Sequence, residues 1–348
     1  MRHVNIPVFI PHLGCPNDCV FCNQRIISGK IIFNADTVEH ELESATATIT
    51  PDDYTEIAFF GGSFTGIDRE LMLRLLDTAQ HYVHIGKVKS IRISTRPDYI
   101  NDEILGILSH YSVKTIELGI QSLDDCVLSA SRRGHTVECA ISACRMVTEA
   151  GFNLVGQMML GLPGSDYEKE YRTALGIADS GAKAVRIYPT AVLAGTVLDD
   201  MMLDGRYTPL TADEAAKRCV GLIKLFNSRG IGVLRIGLCD SKELRNNCTG
   251  GVYHPAFGEL VKTLIYRSLL YDAILQIAGI PDNNILIVSC PIGAMSAVSG
   301  YRRSNKEYLQ KTYKISKLIV RESQHINEYN ITVECTVDGK DCSISARL

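Results

Sequence analysis

Along the first two thirds of the chain, short apolar runs alternate with longer stretches in which apolar residues recur every three or four positions. The runs predict strands at Val4–Ile10, Glu56–Phe60, Lys89–Ser94, Val113–Ile120, Phe152–Leu160, Lys183–Tyr188 and Ile231–Ile236. Helical spacing fills the gaps. Leu71, Leu75, Ala79 and Val83 fall on one face of a helix that Asp68 can cap. Ser165 with Glu168, and Thr211 with Glu214, have the S/T-x-x-E spacing of a capping box. Gly151, Gly181 and Gly230 stand where left-handed helix ends are expected. Such alternation demands a parallel sheet with helical crossovers, either doubly wound or closed toward a barrel. Beyond Gly237 the alternation stops. Pro255 can open a helix running to about Ala278, and Ile331–Val337 and Cys342–Ala346 flank Asp338–Gly339 as a terminal hairpin. The expected organisation is a core at 1–237 and an α+β extension at 238–348.

Length and charge refine this outline. The 348 residues exceed one domain of about 150, so a large domain with a smaller appendage is expected. No apolar run approaches the roughly 18 residues of a membrane span, and MRHVNIPVFI lacks the apolar core of a signal peptide. A cytoplasmic protein without a membrane partner is expected. In that reducing setting the twelve cysteines serve metals or cores rather than disulfides. The net charge of −3 names no partner. One segment departs from it: residues 301–321 carry Arg302, Arg303, Lys306, Lys311, Lys314, Lys317 and Arg321 against the single acid Glu307, interleaved with Tyr301, Tyr308 and Tyr313. Cations mixed with aromatic rings can neutralise phosphates while stacking on bases, although a solvated face has the same composition.

The chemistry concentrates after the first strand. Cys15, Cys19 and Cys22 form a C-x3-C-x2-C run. Three thiolates so close can share one inorganic centre, and on a four-iron cubane three ligands leave one iron open to a substrate. A structural zinc completed by His12 is the alternative.

With Phe21 just before its third cysteine, the run resembles the signature of the radical S-adenosylmethionine (SAM) superfamily. The resemblance covers roughly residues 3–270 and implies the fold α/β; partial (β/α)6 TIM-like barrel with a smaller α+β C-terminal extension. It also implies two cofactors, a [4Fe–4S] cluster and S-adenosyl-L-methionine, and a reductant such as ferredoxin or flavodoxin. The implied reaction is reductive cleavage of SAM to a 5′-deoxyadenosyl radical that abstracts hydrogen from a substrate.

In parallel α/β proteins ligands gather at the carboxyl ends of the strands. There the chain places Gly61, Gly62 and Ser63, where missing Cβ atoms allow close backbone approach. Ser94, Thr95 and Arg96 follow the third strand, with a guanidinium fork suited to a carboxylate. Glu117 and Gln121 interrupt an apolar strand, where buried polar groups require partners. The stretch from Ile116 through Arg133-Gly134-His135-Thr136, and Gly161-Leu162-Pro163-Gly164 after it, resemble segments shared by the Elongator catalytic subunit and oxygen-independent coproporphyrinogen oxidases. The glycine turn resembles the superfamily's glycine motif, which implies that its backbone holds the methionine amine, and the likeness of the later segments implies that Gln121 contacts the ribose and Arg133 the methionine carboxylate. Gln157 stands where the oxidases carry a ribose-binding aspartate. Phe21 completes the implied cofactor set.

Tyr188 and His254 are candidates to face the substrate. Cys239, Cys248 and His254 must also be weighed as a second metal site. The Elongator-like branch points to tRNA as a possible substrate, bound through 301–321. The alternatives are a structural-cluster RNA-binding or assembly module and a coproporphyrinogen-oxidase-like enzyme acting on a small molecule. The resemblance stops short of the acetyl-coenzyme A domain that follows the barrel in the Elongator subunit.

Overall fold

All seven expected strands form, each within two residues of its expected ends, and the five inner ones are buried at most positions, as a parallel sheet covered on both faces requires. They are β1 (His3–Phe9), β2 (Tyr54–Phe60), β3 (Ser90–Thr95), β4 (Val113–Gln121), β5 (Asn153–Leu160), β6 (Ala184–Pro189) and, after a short β7 (Ala191–Leu193) outside the sheet, β8 (Gly232–Ile236). The computed structural model describes residues 3–15, 19–28, 33–50, 53–277, 282–337 and 340–348. In it the strand order is β1-β2-β3-β4-β5-β6-β8, with every pair parallel. This is the curled half-barrel with helices that six βα units predict.

The helices explain their own limits. Asp68 caps Arg69–His84 by accepting from the Leu71 amide, and the buried face centres on Met72, Leu75, Leu76, Ala79 and Tyr82. Leu71 and Val83 lie at the edge of that stripe. The capping box expected at Ser165 is displaced by one residue: Asp166 is the cap, accepting from the Lys169 amide, and the helix is Tyr167–Asp179. Asp outbids its neighbour because its carboxylate reaches the orphan amide and also favours the positive end of the helix. Gly151, Gly181 and Gly230 all have left-handed φ, at 84°, 80° and 68°.

The chain divides into two compact units, Met1–Thr211 with Arg229–Pro255, and Ala212–Ser228 with Ala256–Leu348. The expected boundary at residue 237 falls inside the stretch 229–255 of the first unit. That unit also holds β9 (Cys248–Gly251), antiparallel to β7. The second unit is a four-stranded mixed sheet with helices. β10 (Ile285–Pro291) and β11 (Lys317–Ser323) are parallel, while β12 (Asn330–Val337) pairs antiparallel with β10 and with β13 (Lys340–Arg347), in the order β11-β10-β12-β13. The turn expected at Asp338–Gly339 lies outside the described residues. Helix Phe257–Gln276 buries Val261, Ile265, Leu269, Leu270 and Ala273 within this unit. Pro255 precedes its N-cap, Ala256, rather than sitting in its first turn. Among the described residues no helix is long and apolar enough to cross a membrane.

Candidate active site

The loop after β1 and the glycine turn after β2 meet backbone to backbone. The Ser63 amide donates to the Leu13 carbonyl at 2.8 Å. Gly62 has φ +39°, and a Cβ there would lie 2.1 Å from the Leu13 oxygen; one on Gly14 would lie 2.3 Å from the Ser63 oxygen. Only hydrogen fits at either position. Gln24 locks the contact, since its Oε1 accepts from the His12 amide at 2.8 Å and from the Gly62 amide. Its own amide donates to His12 Nε2 at 3.0 Å, so that nitrogen already accepts a hydrogen bond. Neither Gln24 nor this use of His12 was legible from the cysteine spacing.

The cysteine run is anchored on both sides. The Val20 amide donates to the Ser131 carbonyl and the Leu198 amide to the Val20 carbonyl. Phe21 packs on an apolar cluster of Val20, Val192, Leu198 and Tyr207. Cys19 is buried, and Cys15 and Cys22 are half-buried. Residues 16–18 lie outside the described set. Among the described residues no three His, Cys, Asp or Glu side chains are grouped to hold one metal ion. A cubane differs from such a site because each thiolate binds its own iron.

Two buried guanidinium groups face these thiols. Arg133 Nη1 donates to Cys19 Sγ at 3.3 Å and Nη2 to the Gly119 carbonyl at 2.6 Å, while Nε is buried without a partner. Arg133 has no carboxylate partner among the described residues. Arg96 is 2% exposed; Nε and Nη2 form a fork on Asp98 at 2.9 and 2.8 Å, Nη2 also donates to the Arg133 carbonyl, and Nη1 is orphaned. Asp98, which the sequence did not single out, thus orients Arg96. Arg96, Asp98 and Arg133 sum to one positive charge. Burial pushes the Cys15 thiol up, and Arg133 and Arg96 act against that rise. Gln121 has φ +67° at a break in the β4–β5 register, and its Oε1 is buried and unpartnered. Ser63 is fully buried, bonding Thr95 Oγ1 at 2.8 Å and accepting from the Arg96 amide at 3.1 Å. Three thiols, a glycine floor, one uncompensated cation and several orphaned polar atoms fit an anionic cluster with a polar ligand.

Glu117 and Gln157 belong to a different arrangement within the same sheet. Glu117 is fully buried and accepts four hydrogen bonds: from Arg92 Nη1 at 2.8 Å, Arg186 Nη2 and Nε at 3.0 and 2.9 Å, and Gln157 Nε2 at 2.8 Å. Gln157 also reaches Ser94 Oγ at 3.3 Å. Arg92 continues to Glu56, which takes Ser90 and His3 as well. Both oxygens of Glu117 are occupied by protein donors, so its place is structural support rather than direct contact with a ligand. The ladder follows from register. Glu56 stands opposite Ser90, Arg92 opposite Thr115 and Glu117 opposite Val155, so each partner sits two residues up the next strand. That climb is the stagger of a curling barrel. Charged residues at Glu56, Arg92 and Arg186 inside otherwise apolar strands were the available signal.

Arg186 also lies over the Phe60 ring at 5.4 Å and bonds Tyr188, whose phenol burial pushes up. His254 follows β9 in the first unit. Cys239, Cys248 and His254 do not gather as a metal site: Cys239 Sγ accepts from Arg235 Nη1 at 2.8 Å, and the Cys248 thiol donates to the Gly250 carbonyl at 3.3 Å.

His135 is buried beside Asp98, its Nδ1 4.0 Å from Oδ1. Burial, then Arg133, lowers its pKa to about 4. The unfolded chain takes up a proton near pH 6.5 and the native state only near 4. Stability is therefore expected to fall as pH drops through that window, by on the order of 3 kcal/mol. Melting temperatures across the window check this, and His135→Leu should flatten the profile; an unchanged slope would refute the assignment.

Comparison with known proteins agrees with this geometry. The sequence model of the radical SAM superfamily matches residues 9–174, and that of the radical SAM C-terminal domain matches residues 182–267. An uncharacterised protein of Methanocaldococcus jannaschii is 30% identical over 221 residues, spanning 60% of this chain and 67% of that protein. A tRNA uridine(34) acetyltransferase of the same organism is 32% identical over 145 residues, 41% of this chain; the chain spans about a quarter of that relative's length, 26%. Among solved structures, the archaeal Methanocaldococcus infernus Elp3 with an N-terminal deletion superposes with a TM-score of 0.61 at 23% identity, covering 76% of this chain and 63% of that one, a likeness of fold. The chain belongs to the radical S-adenosylmethionine superfamily and is an enzyme of the kind that uses a [4Fe–4S] cluster and S-adenosylmethionine.

Proposed function

We propose that Cys15, Cys19 and Cys22 hold the cluster, and that the enzyme acts on an RNA of the transfer-RNA class in the cytoplasm. The observation that carries the site is the buried Arg133 guanidinium, bonded to Cys19 Sγ and lacking a carboxylate partner among the described residues. When bound, the cluster and SAM supply reductive cleavage of the sulfonium and, through the 5′-deoxyadenosyl radical, hydrogen abstraction from substrate. A one-electron donor such as ferredoxin or flavodoxin provides the electron. The chain's own residues position and shield. Gly61 and Gly62 bring backbone amides and carbonyls to the cofactor without steric cost. Arg133 neutralises thiolate charge and offers its free Nε to a carboxylate, and Gln121 Oε1 accepts from a hydroxyl. Arg96, held by Asp98, offers Nη1. Glu117 fixes Gln157 and Arg186, and Arg186 fixes Tyr188, which faces the substrate. The RNA reading is supported by the name of the matched tRNA uridine(34) acetyltransferase and by the cation-rich 301–321 segment.

The test is anaerobic reconstitution, reduction and addition of SAM, with 5′-deoxyadenosine measured by mass spectrometry with and without bulk tRNA. Product that rises with tRNA is expected. Product indifferent to RNA would redirect the search to small molecules. No product from cluster-loaded protein would overturn the catalytic assignment.

A further inference from the structure

We propose that the Gly300–Arg303 turn of the second unit docks the phosphate backbone of the RNA, with Arg302 and Arg303 as its phosphate-binding side chains; this rests on the RNA substrate proposed above. Arg302 (φ 52°, ψ 35°) and Arg303 (φ 66°, ψ 18°) are consecutive left-handed residues. L side chains avoid that region, and glycine or asparagine would adopt it at lower cost. Strain of this kind persists only where the surroundings enforce it, and it gathers at functional sites.

The surroundings here do enforce it. Asn305 is fully buried; its Nδ2 donates to the Thr263 carbonyl at 2.9 Å and to the Ala297 and Val298 carbonyls at 3.3 Å, while Oδ1 accepts from Arg267 Nε at 2.7 Å. Gly300 has φ +86°, and a Cβ on it would lie 2.4 Å from the Asn305 amide nitrogen. The Arg303 amide closes the turn onto the Gly300 carbonyl at 2.7 Å, and the Tyr301 amide donates to Thr263 Oγ1 at 2.9 Å. A buried asparagine therefore holds a strained backbone whose outward product is two adjacent, exposed guanidinium groups.

Neither arginine has a carboxylate partner among the described residues, whereas Lys314 in the same segment pairs with Asp282 at 3.0 Å. The Arg302 guanidinium lies over the Tyr301 ring at 5.4 Å, a pairing that keeps the fork extended. Lys306, Lys311, Lys317 and Arg321 follow against the single acid Glu307. Forked donors match phosphate oxygens in pairs. This mixture favours RNA over an acidic electron-donor protein, for which dispersed lysines suffice.

The experiment is tRNA binding to the full chain by fluorescence anisotropy across a salt series. Arg302→Gln with Arg303→Gln should weaken binding roughly tenfold at 0.15 M salt and reduce the slope of log K against log salt by about 2. Arg302→Gly with Arg303→Gly suits the left-handed backbone, keeps the turn, and should lose the same affinity. RNA-free 5′-deoxyadenosine formation should stay at the unmutated level in both. Unmutated protein that fails to bind tRNA would overturn this proposal together with the RNA substrate. Binding by the unmutated protein that neither double variant alters would overturn the docking site alone. Normal tRNA binding with turnover lost only when flavodoxin replaces a chemical reductant would overturn it in favour of an electron-donor interface.

Discussion

Cys19→Ala is expected to abolish 5′-deoxyadenosine formation and to lower the iron content of anaerobically reconstituted protein. Cys19 is the most buried thiol of the run and receives a guanidinium N–H at 3.3 Å. Its removal deletes one ligand and leaves Arg133, already without a carboxylate, facing an apolar methyl in a buried setting. An unpaired buried charge is costly, so the loop after β1 should loosen as well. Iron and sulfide analysis alongside product mass spectrometry checks both effects. Unchanged product would sink the ligand set. Arg133→Lys separates the two contributions: it keeps a cation but cannot serve the thiol and the Gly119 carbonyl from one plane. Cluster content retained with weakened SAM binding would mark Arg133 as a cofactor-positioning residue.

Glu117→Ala should destabilise the protein by about 3–5 kcal/mol, the range seen when one member of a buried charge network is removed. Glu117 accepts from Arg92, Arg186 and Gln157, and none of these has another carboxylate in reach except Arg92, which keeps Glu56. The ladder Glu56, Arg92, Glu117, Arg186 is formally neutral, and the alanine variant leaves one cation uncompensated inside the half-barrel. Thermal unfolding checks this, with Glu117→Gln as the isosteric control that retains acceptors for two of the four bonds and loses the charge. Stability unchanged in both variants would refute the account. Acid should act on the same ladder. Burial alone would raise the Glu56 pKa, but the Arg92 charge and hydrogen bonds outweigh it and hold the carboxyl below its ordinary value. The stability it contributes is full above the ordinary carboxylate range and is lost as pH falls through the lowered native value.

Among exposed ion pairs the expectation is opposite. Arg69 and Glu103 meet at 2.9 Å with both side chains largely in water, so Glu103→Ala should leave the melting curve nearly unchanged.

Local pattern was enough to place the seven parallel strands, the cap at Asp68 and the left-handed glycines, because strand and helix periods are properties of a few adjacent residues. The cysteine run was equally legible, since its three thiols lie within eight residues of chain. Register across the sheet was not. Glu117 looked like a ligand contact because polar residues in an apolar strand must have partners, yet the sequence does not say which. Barrel stagger brings Arg92 and Arg186 to Glu117 and satisfies it internally. Likewise Arg133 reaches Cys19 from 114 positions away, and Gln24 reaches Gly62 from 38. The alternation of apolar residues determined which segments pair and which faces are buried. Only the closed packing of those faces decided which buried charges neutralise one another and which cation is left for a guest, because electrostatic partners are chosen by distance in space rather than along the chain.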